Sequence, residues 1–111
     1  MNLTKIIIYT TKTGRSPFSD WRDDLDTSTR AVIRARIERI RLGNFGDSKR
    51  IKNGGGIWEI RIDYGPGYRI YFGISKMIVL VLLLGGDKRS QDRDIAKAKK
   101  YWIECRELLD E

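Results

Sequence analysis

Two runs of alternating residues constrain the fold of this chain more than any other feature. Apolar and polar residues alternate from Trp58 to Tyr64 and again from Tyr68 to Ile74, with Gly-Pro-Gly at positions 65–67 between them. Successive side chains of a strand point to opposite faces, so each run predicts a strand with one apolar and one polar face. The Gly-Pro-Gly segment is typical of a turn. The region therefore predicts an antiparallel hairpin.

The first part of the chain follows a different period. Residues Ile6–Tyr9 are β-branched or aromatic and predict a first strand. Apolar residues at helical spacing predict a short helix from Pro17 to about Leu25, since proline is tolerated in the first helical turn. Asp26–Ser28 offers caps for a second helix, which is predicted to stop at Gly43-Asn44. Two helices joined so tightly predict a helical hairpin.

The last part predicts one more strand and one more helix. Residues Met77–Leu84 are continuously apolar, which is typical of a strand covered on both faces, and Gly85-Gly86 is expected to end it. An apolar stripe at helical spacing from Gln91 onward predicts a C-terminal helix. The element order β-α-α-β-β-β-α predicts one α+β domain over residues 1–111. In it, an N-terminal helical hairpin packs on a mainly antiparallel sheet of about four strands, and a C-terminal helix covers part of the sheet.

The charge and the scarcity of certain residue types narrow the chemistry. The 111-residue chain has 22 Lys and Arg against 15 Asp and Glu, a net charge of +7, which favours a polyanionic or acidic partner. It has no histidine, and Cys105 is its one cysteine. Zinc, iron or copper sites and Ser–His or Cys–His pairs are therefore not expected, and we expect no metal or other cofactor. No signal peptide or membrane span is recognised, so we expect a cytoplasmic protein with no membrane partner.

The polar face of the predicted hairpin carries the candidate chemistry. If residues 65–67 form a three-residue turn, Tyr64 lies opposite Tyr68, and Arg61 lies opposite Tyr71. Alternation then collects four side chains on the face away from the two helices: Glu59, Arg61, Arg69 and Tyr71. From the loop after the next strand, Lys88 can project onto the same surface.

These residue types suit RNA cleavage without a metal. Two arginines can hold a phosphate and stabilise charge that develops on it. A carboxylate can accept a proton from a ribose 2′-hydroxyl, and lysine or tyrosine can protonate the leaving oxygen. The predicted catalytic residues are Glu59, Arg61, Arg69, Lys88 and Tyr71, and the predicted RNA-binding residues are Lys49, Arg50, Lys52 and Arg89. The alternative is structural, because alternating charges are typical of the solvent face of any half-buried sheet.

Four segments carry a family resemblance that covers nearly the whole chain: Phe18–Trp21, Gly43–Asp47, Glu59–Phe72 and Leu83–Ile95. Together they resemble the "addiction module killer protein" (HigB/RelE-like) branch of the RelE/ParE toxin superfamily. The resemblance implies a RelE-like fold and the toxin of a type II toxin–antitoxin module. RelE-like members cleave mRNA on the ribosome without a metal, leaving a 2′,3′-cyclic phosphate and a 5′-hydroxyl.

The resemblance also implies roles for single residues. Arg69 matches an arginine that contacts the scissile phosphate, and Arg61 matches a basic position on the preceding strand. Glu59 stands where some members carry a catalytic base, and Lys88 lies near a loop residue that assists the leaving group. The sequence departs from the family pattern because it has no histidine and carries Asp94 near an expected tyrosine, which leaves the general acid open.

The partners implied by the resemblance are a cognate antitoxin and mRNA on the ribosome. The antitoxin is expected to be a small helix-turn-helix DNA-binding protein encoded by a neighbouring gene. Two alternatives stay open: a ParE-like inhibitor of DNA gyrase that cuts no RNA, and an inert partner-binding domain with the toxin fold.

Overall fold

A five-stranded sheet with helices on both faces forms the protein. The computed structural model describes residues 5–76 and 79–109, without the side chains of Val79 and Leu109. In chain order the elements are β1 (Lys5–Ile8), α1 (Pro17–Asp23), α2 (Thr27–Arg41), β2 (Ser48–Arg50), β3 (Trp58–Ile62), β4 (Tyr68–Ser75), β5 (Val79–Asp87), a 3₁₀ turn (Lys88–Ser90) and α3 (Gln91–Leu109). No helix within the described ranges is long and apolar enough to cross a membrane.

The sheet is mixed, with the strand order β1-β5-β4-β3-β2. Strand β1 runs parallel to β5, and the other neighbours are antiparallel. The predicted α+β class, the helical hairpin and the mainly antiparallel sheet are thereby confirmed, with one strand more than expected. The added strand is β2, a polar segment of three residues, Ser48–Arg50, that pairs with β3 at the edge of the sheet.

Helices α1 and α2 pack on one face of the sheet, and local capping fixes where each begins. The Ser16 side chain accepts a hydrogen bond from the amide of Ser19, and Asp26 accepts one of 2.7 Å from Thr29. These bonds satisfy amides that have no partner within the helix. The buried residues of this layer are Phe18, Ile33, Ile40, Ile60, Ile62, Ile70, Phe72, Leu80 and Leu82.

Helix α3 packs on the opposite face, so β5 is covered on both sides as its apolar run predicts. The buried residues of this second layer are Tyr9, Ile57, Tyr71, Val81, Leu83, Leu84, Ala98, Trp102 and Cys105. The Trp102 ring lies so close to Gly73 that a Cβ there would collide with it. The predicted strand began at Met77, and residues 77 and 78 lie outside the described residues.

The expected strand break at Gly85-Gly86 is wrong. Strand β5 continues through both glycines to Asp87. A Cβ at Gly85 would collide with the Trp21 ring on one face, and a Cβ at Gly86 would collide with the Asp94 carboxylate on the other. Both glycines therefore sit inside the strand because neighbouring side chains approach its backbone closely.

The assumed hairpin register is also wrong, by two residues. Ile62, not Tyr64, lies opposite Tyr68, so residues 63–67 form the turn and Arg61 lies opposite Arg69. Side chains two residues apart on a strand point to the same face of the sheet. A register shift of two residues therefore leaves every side chain on its predicted face. The hairpin still places Glu59, Arg61, Arg69 and Tyr71 on the face away from α1 and α2.

Candidate functional site

A buried ion pair anchors the candidate site. Glu59, on β3, has no exposed surface, and its Oε1 lies 3.2 Å from Nη1 of Arg69 on β4, whose side chain is 13% exposed. The second carboxylate oxygen of Glu59 accepts a hydrogen bond of 2.9 Å from Nε2 of Gln91, in the first turn of α3. The Glu59 carboxylate thus connects Arg69, in the sheet, to Gln91 at the start of α3, because it accepts a hydrogen bond from each.

Two more titratable groups lie near this pair: Tyr71, on β4 beneath α3, and Asp94, in the first turn of α3 itself. The Tyr71 side chain is fully buried, and its hydroxyl makes no hydrogen bond among the described residues. Burial, and then the negative charges of Glu59 and Asp94, raise the pKa of Tyr71 well above its ordinary value of 10. Burial also raises the pKa of Asp94, although its Oδ2 accepts a bond of 2.6 Å from Ser90. The raised pKa of Tyr71 therefore keeps its hydroxyl protonated beyond the pH at which an exposed tyrosine ionises.

An open pocket of about 340 Å³ lies where the β3–β4 turn meets the 3₁₀ turn. Arg61, Arg69 and Lys88 line it, together with Asp47, Ile62, Asp63, Gly67 and Tyr68. Arg61 pairs with Asp47 at 3.0 Å in an exposed ion pair, and Lys88 extends over Gly67, with its Cε 3.1 Å from where a Cβ would lie. Three cations and two carboxylates thus line one concave surface, and the excess of one positive charge favours a phosphate group there.

The structure brings together some of the five predicted catalytic residues and separates the others. Arg61, Arg69 and Lys88 share the pocket. Glu59 and Tyr71 lie under α3 instead of on the open surface that the alternation predicts, because α3 covers that part of the polar face. A carboxylate with no exposed surface does not reach a ribose hydroxyl in this conformation.

The predicted RNA-binding residues are exposed but dispersed. Lys49 and Arg50 lie on edge strand β2, and Lys52 lies in the loop that follows. Lys49 is the register partner of Glu59 and so shares the face of the pocket. Arg89, in the 3₁₀ turn, pairs with Asp87 at 3.1 Å. None of the four lines the pocket itself.

Sequence reasoning missed three residues of the site: Asp47 and Asp63, which line the pocket, and Gln91. Gln91 contacts Glu59 across 32 positions of sequence, so no local pattern connects the two. The one available signal was its place at the start of the predicted C-terminal helix, directly after the Lys88–Ser90 loop.

The fold and the family match agree on the class of protein. A mixed α+β sheet with a C-terminal helix is consistent with a RelE-like fold, that of toxin-like proteins of the RelE/HigB type. Residues 20–103, well over half of the chain, match the family described as Phage derived protein Gp49-like (DUF891). The chain belongs to this toxin-like family. An uncharacterised protein of Haemophilus influenzae is 46% identical over 83 residues, which cover 74% of this chain and 82% of that protein. The family indicates the toxin of a toxin–antitoxin pair and hence a cognate antitoxin.

Proposed function

We propose that the protein is a toxin that cleaves mRNA on the ribosome without a metal ion. The convergence of Arg61, Arg69 and Lys88 on one pocket, with Arg69 held from behind by a buried carboxylate, is the observation that carries the proposal. Fixed cations stabilise developing charge better than mobile ones, because they need no rearrangement as the reaction proceeds. The family membership supports the toxin part of the proposal.

The proposed reaction is attack of a ribose 2′-oxygen on the adjacent phosphorus. The bond between the 2′-oxygen and phosphorus forms, and the bond from phosphorus to the 5′-oxygen breaks. The products are a 2′,3′-cyclic phosphate and a 5′-hydroxyl. Arg61 and Arg69 bind the non-bridging oxygens, where negative charge grows in the transition state. Lys88 donates a proton to the leaving 5′-oxygen.

The proton of the 2′-hydroxyl needs an acceptor, and our choice of it rests on the burial and pairing of the nearby carboxylates. Glu59 is buried and already bonded to Arg69 and Gln91, so we assign it to positioning Arg69. Two carboxylates line the pocket, Asp47 and Asp63, and Asp47 is paired with Arg61. Asp63 forms no ion pair within the described ranges, and we assign it to accept the proton. Tyr71 is fully buried, so we assign it no direct part in the reaction.

We further propose where the antitoxin binds. A groove of about 500 Å³ runs between α1, α2 and edge strand β1 on the side of the sheet away from the pocket. Its apolar walls include Ile6, Ile8, Ile33 and Ile37, and arginines border it at Arg22, Arg30 and Arg34. The two carboxylates that also line it, Asp23 and Glu38, are paired with Arg22 and Arg41, which leaves Arg30 and Arg34 without an ion pair among the described residues. An amphipathic segment with acidic residues beside its apolar stripe fits both features. The antitoxin in this proposal is a small helix-turn-helix protein encoded by a neighbouring gene, and the pair acts in the cytoplasm.

Induction of the chain in cells, followed by mapping of mRNA 5′ ends and of plasmid supercoiling, tests the proposed function. We expect the wild-type chain to produce new 5′-hydroxyl ends within translated codons and Arg69→Ala to produce none, with supercoiling unchanged by either protein. Asp63→Asn should slow cleavage by about 10²-fold or more, the usual size of a lost general base. Altered supercoiling without new mRNA ends would identify a gyrase inhibitor instead. The absence of growth arrest and of both effects, at high expression, would leave an inert partner-binding domain.

A further inference from the structure

A second basic cleft lies at the other end of the β3–β4 hairpin from the pocket. Its volume is about 720 Å³, and it opens where β3 begins and β4 ends. Aromatic side chains and cations form most of its wall: Phe45, Trp58, Trp102, Arg50, Lys76 and Arg106. No carboxylate is among its lining residues within the part of the chain that the structure describes.

The aromatic wall of the cleft is supported from inside the protein. The Trp58 ring stacks on the buried Phe72 ring, with centroids 6.1 Å apart and planes 19° apart, and Phe45 stacks on Phe72 at 6.3 Å. Trp102 places its indole nitrogen beside Gly56, 3.2 Å from where a Cβ would lie. Packing holds these rings in place, and because Trp102 is buried, the half-buried Trp58 is the tryptophan that can offer a face to a planar ligand group.

The backbone beside the rings leaves space for a ligand. Gly55 has a φ of +69° and nothing within 4 Å of an added Cβ, so a ligand can approach the main chain closely there. Arg50, Lys76 and Arg106 surround this space with exposed side chains, and none of them forms an ion pair among residues 5–76 and 79–109.

We propose that this cleft binds a nucleotide of the same single-stranded RNA that the pocket cleaves. Stacking on tryptophan is available to every base, and surrounding cations bind the flanking phosphates. Trp58 and Arg61 are three positions apart on β3, about 10 Å at the usual strand rise, and this odd separation places their side chains on opposite faces of the sheet. An RNA strand that reaches both sites therefore passes around edge strand β2, where the exposed Lys49 lies on the face of the pocket and the exposed Arg50 on the face of Trp58. The inference rests on RNA being the substrate of the proposed function.

The composition of the cleft favours RNA over an acidic protein segment. An amphipathic helix needs a broad aliphatic floor, which the α1–α2 groove offers with its isoleucines. In the cleft, Ile74 is the one aliphatic lining residue among those described, and aromatic rings and cations take up the rest of the wall apart from glycines and Ser75.

Binding of a 2′-O-methyl RNA oligonucleotide to the whole chain tests the inference independently of cleavage. This probe has no free 2′-hydroxyl, so it stays intact. We expect it to quench tryptophan fluorescence in the wild-type protein, and we expect Trp58→Leu to weaken binding about ten- to a hundredfold. Trp58→Phe keeps an aromatic ring, so this variant should retain most of the wild-type affinity that Trp58→Leu loses.

The salt dependence of binding provides a second readout that does not depend on packing. Replacing Arg50 and Arg106 together by glutamine should reduce the slope of log affinity against log salt by about 1.4, since each phosphate contact contributes about 0.7. Lys100→Gln removes an exposed cation from α3 that lines neither cleft nor pocket, and it should leave the slope unchanged.

Two outcomes would overturn the inference. One is equal affinity and slope in the wild-type and the Arg50→Gln/Arg106→Gln proteins. The other is loss of binding to a poly-glutamate peptide in that double variant while RNA binding stays intact, which would assign the cleft to an acidic protein. Failure of the proposed function gives a different pattern, because the chain would then bind the 2′-O-methyl RNA through the cleft and produce no new mRNA ends in cells.

Discussion

Replacing Glu59 by glutamine removes the charge that compensates Arg69 and keeps the size of the side chain. Arg69 is 13% exposed and Glu59 is fully buried, so the guanidinium would be left nearly without a counter-charge. The glutamine amide would also face the donating Nε2 of Gln91. Removal of one partner from a buried pair costs about 3–5 kcal/mol. Arg69 keeps some access to water, so we expect the free energy of unfolding to fall by about 3 kcal/mol, near the lower end of this range.

Urea unfolding followed by tryptophan fluorescence measures this loss. The matched control is Arg61→Gln, which breaks the Arg61–Asp47 pair, whose side chains are 43% and 57% exposed. Exposed pairs contribute at most about 1 kcal/mol, so this variant should unfold almost as the wild type does. The double variant Glu59→Gln/Arg69→Gln leaves no uncompensated charge and should recover part of the stability. Equal losses for Glu59→Gln and Arg61→Gln would refute the anchoring of Arg69 by Glu59.

Three further outcomes are expected. Arg69→Ala should reduce cleavage of ribosome-bound mRNA by about 10²–10³-fold, measured by primer extension, and full activity would remove Arg69 from the reaction. Burial raises the pKa of Asp94 above its ordinary 3.8, so the folded state binds more protons there than the unfolded state. The free energy of unfolding should therefore fall as pH rises between the ordinary and the raised pKa of Asp94. Urea unfolding at a series of pH values measures this dependence, and Asp94→Asn should remove it. An Asp94→Asn profile identical to that of the wild type would contradict this role of Asp94. Cys105 is 8% exposed and burial raises its pKa, so Ellman's reagent should label it slowly until the protein unfolds, whereas fast native labelling would contradict its burial.

The sequence predicted the elements whose signals are local. The alternation on either side of residues 65–67 specified the hairpin, and Pro17 and Asp26 specified where the two N-terminal helices begin. The faces of β3 and β4 were also right although the register was not, since the error was an even number of residues.

The parts that could not be predicted depend on contacts between distant residues. Strand β2 is polar and short, and pairing with β3 defines it. From sequence alone, Gly85 and Gly86 predict the end of a strand. The structure explains them instead by the close approach of the Trp21 and Asp94 side chains to the strand backbone. The alternating pattern predicts that Glu59 faces solvent, but α3 buries it. Alternation alone does not reveal which polar positions a distant helix will cover.

Because β1 pairs with β5, part of the sheet can form only late in the synthesis of the chain. Lys5 pairs with Val79, so the first described strand stays without its neighbour until most of the sequence has left the ribosome. Contacts this far apart in sequence form late because a long loop must close first. Arg69 likewise gains its full anchorage only once Gln91 has emerged and α3 has docked. A nascent chain therefore lacks the fully anchored pocket until the 3₁₀ turn and the start of α3 have been made.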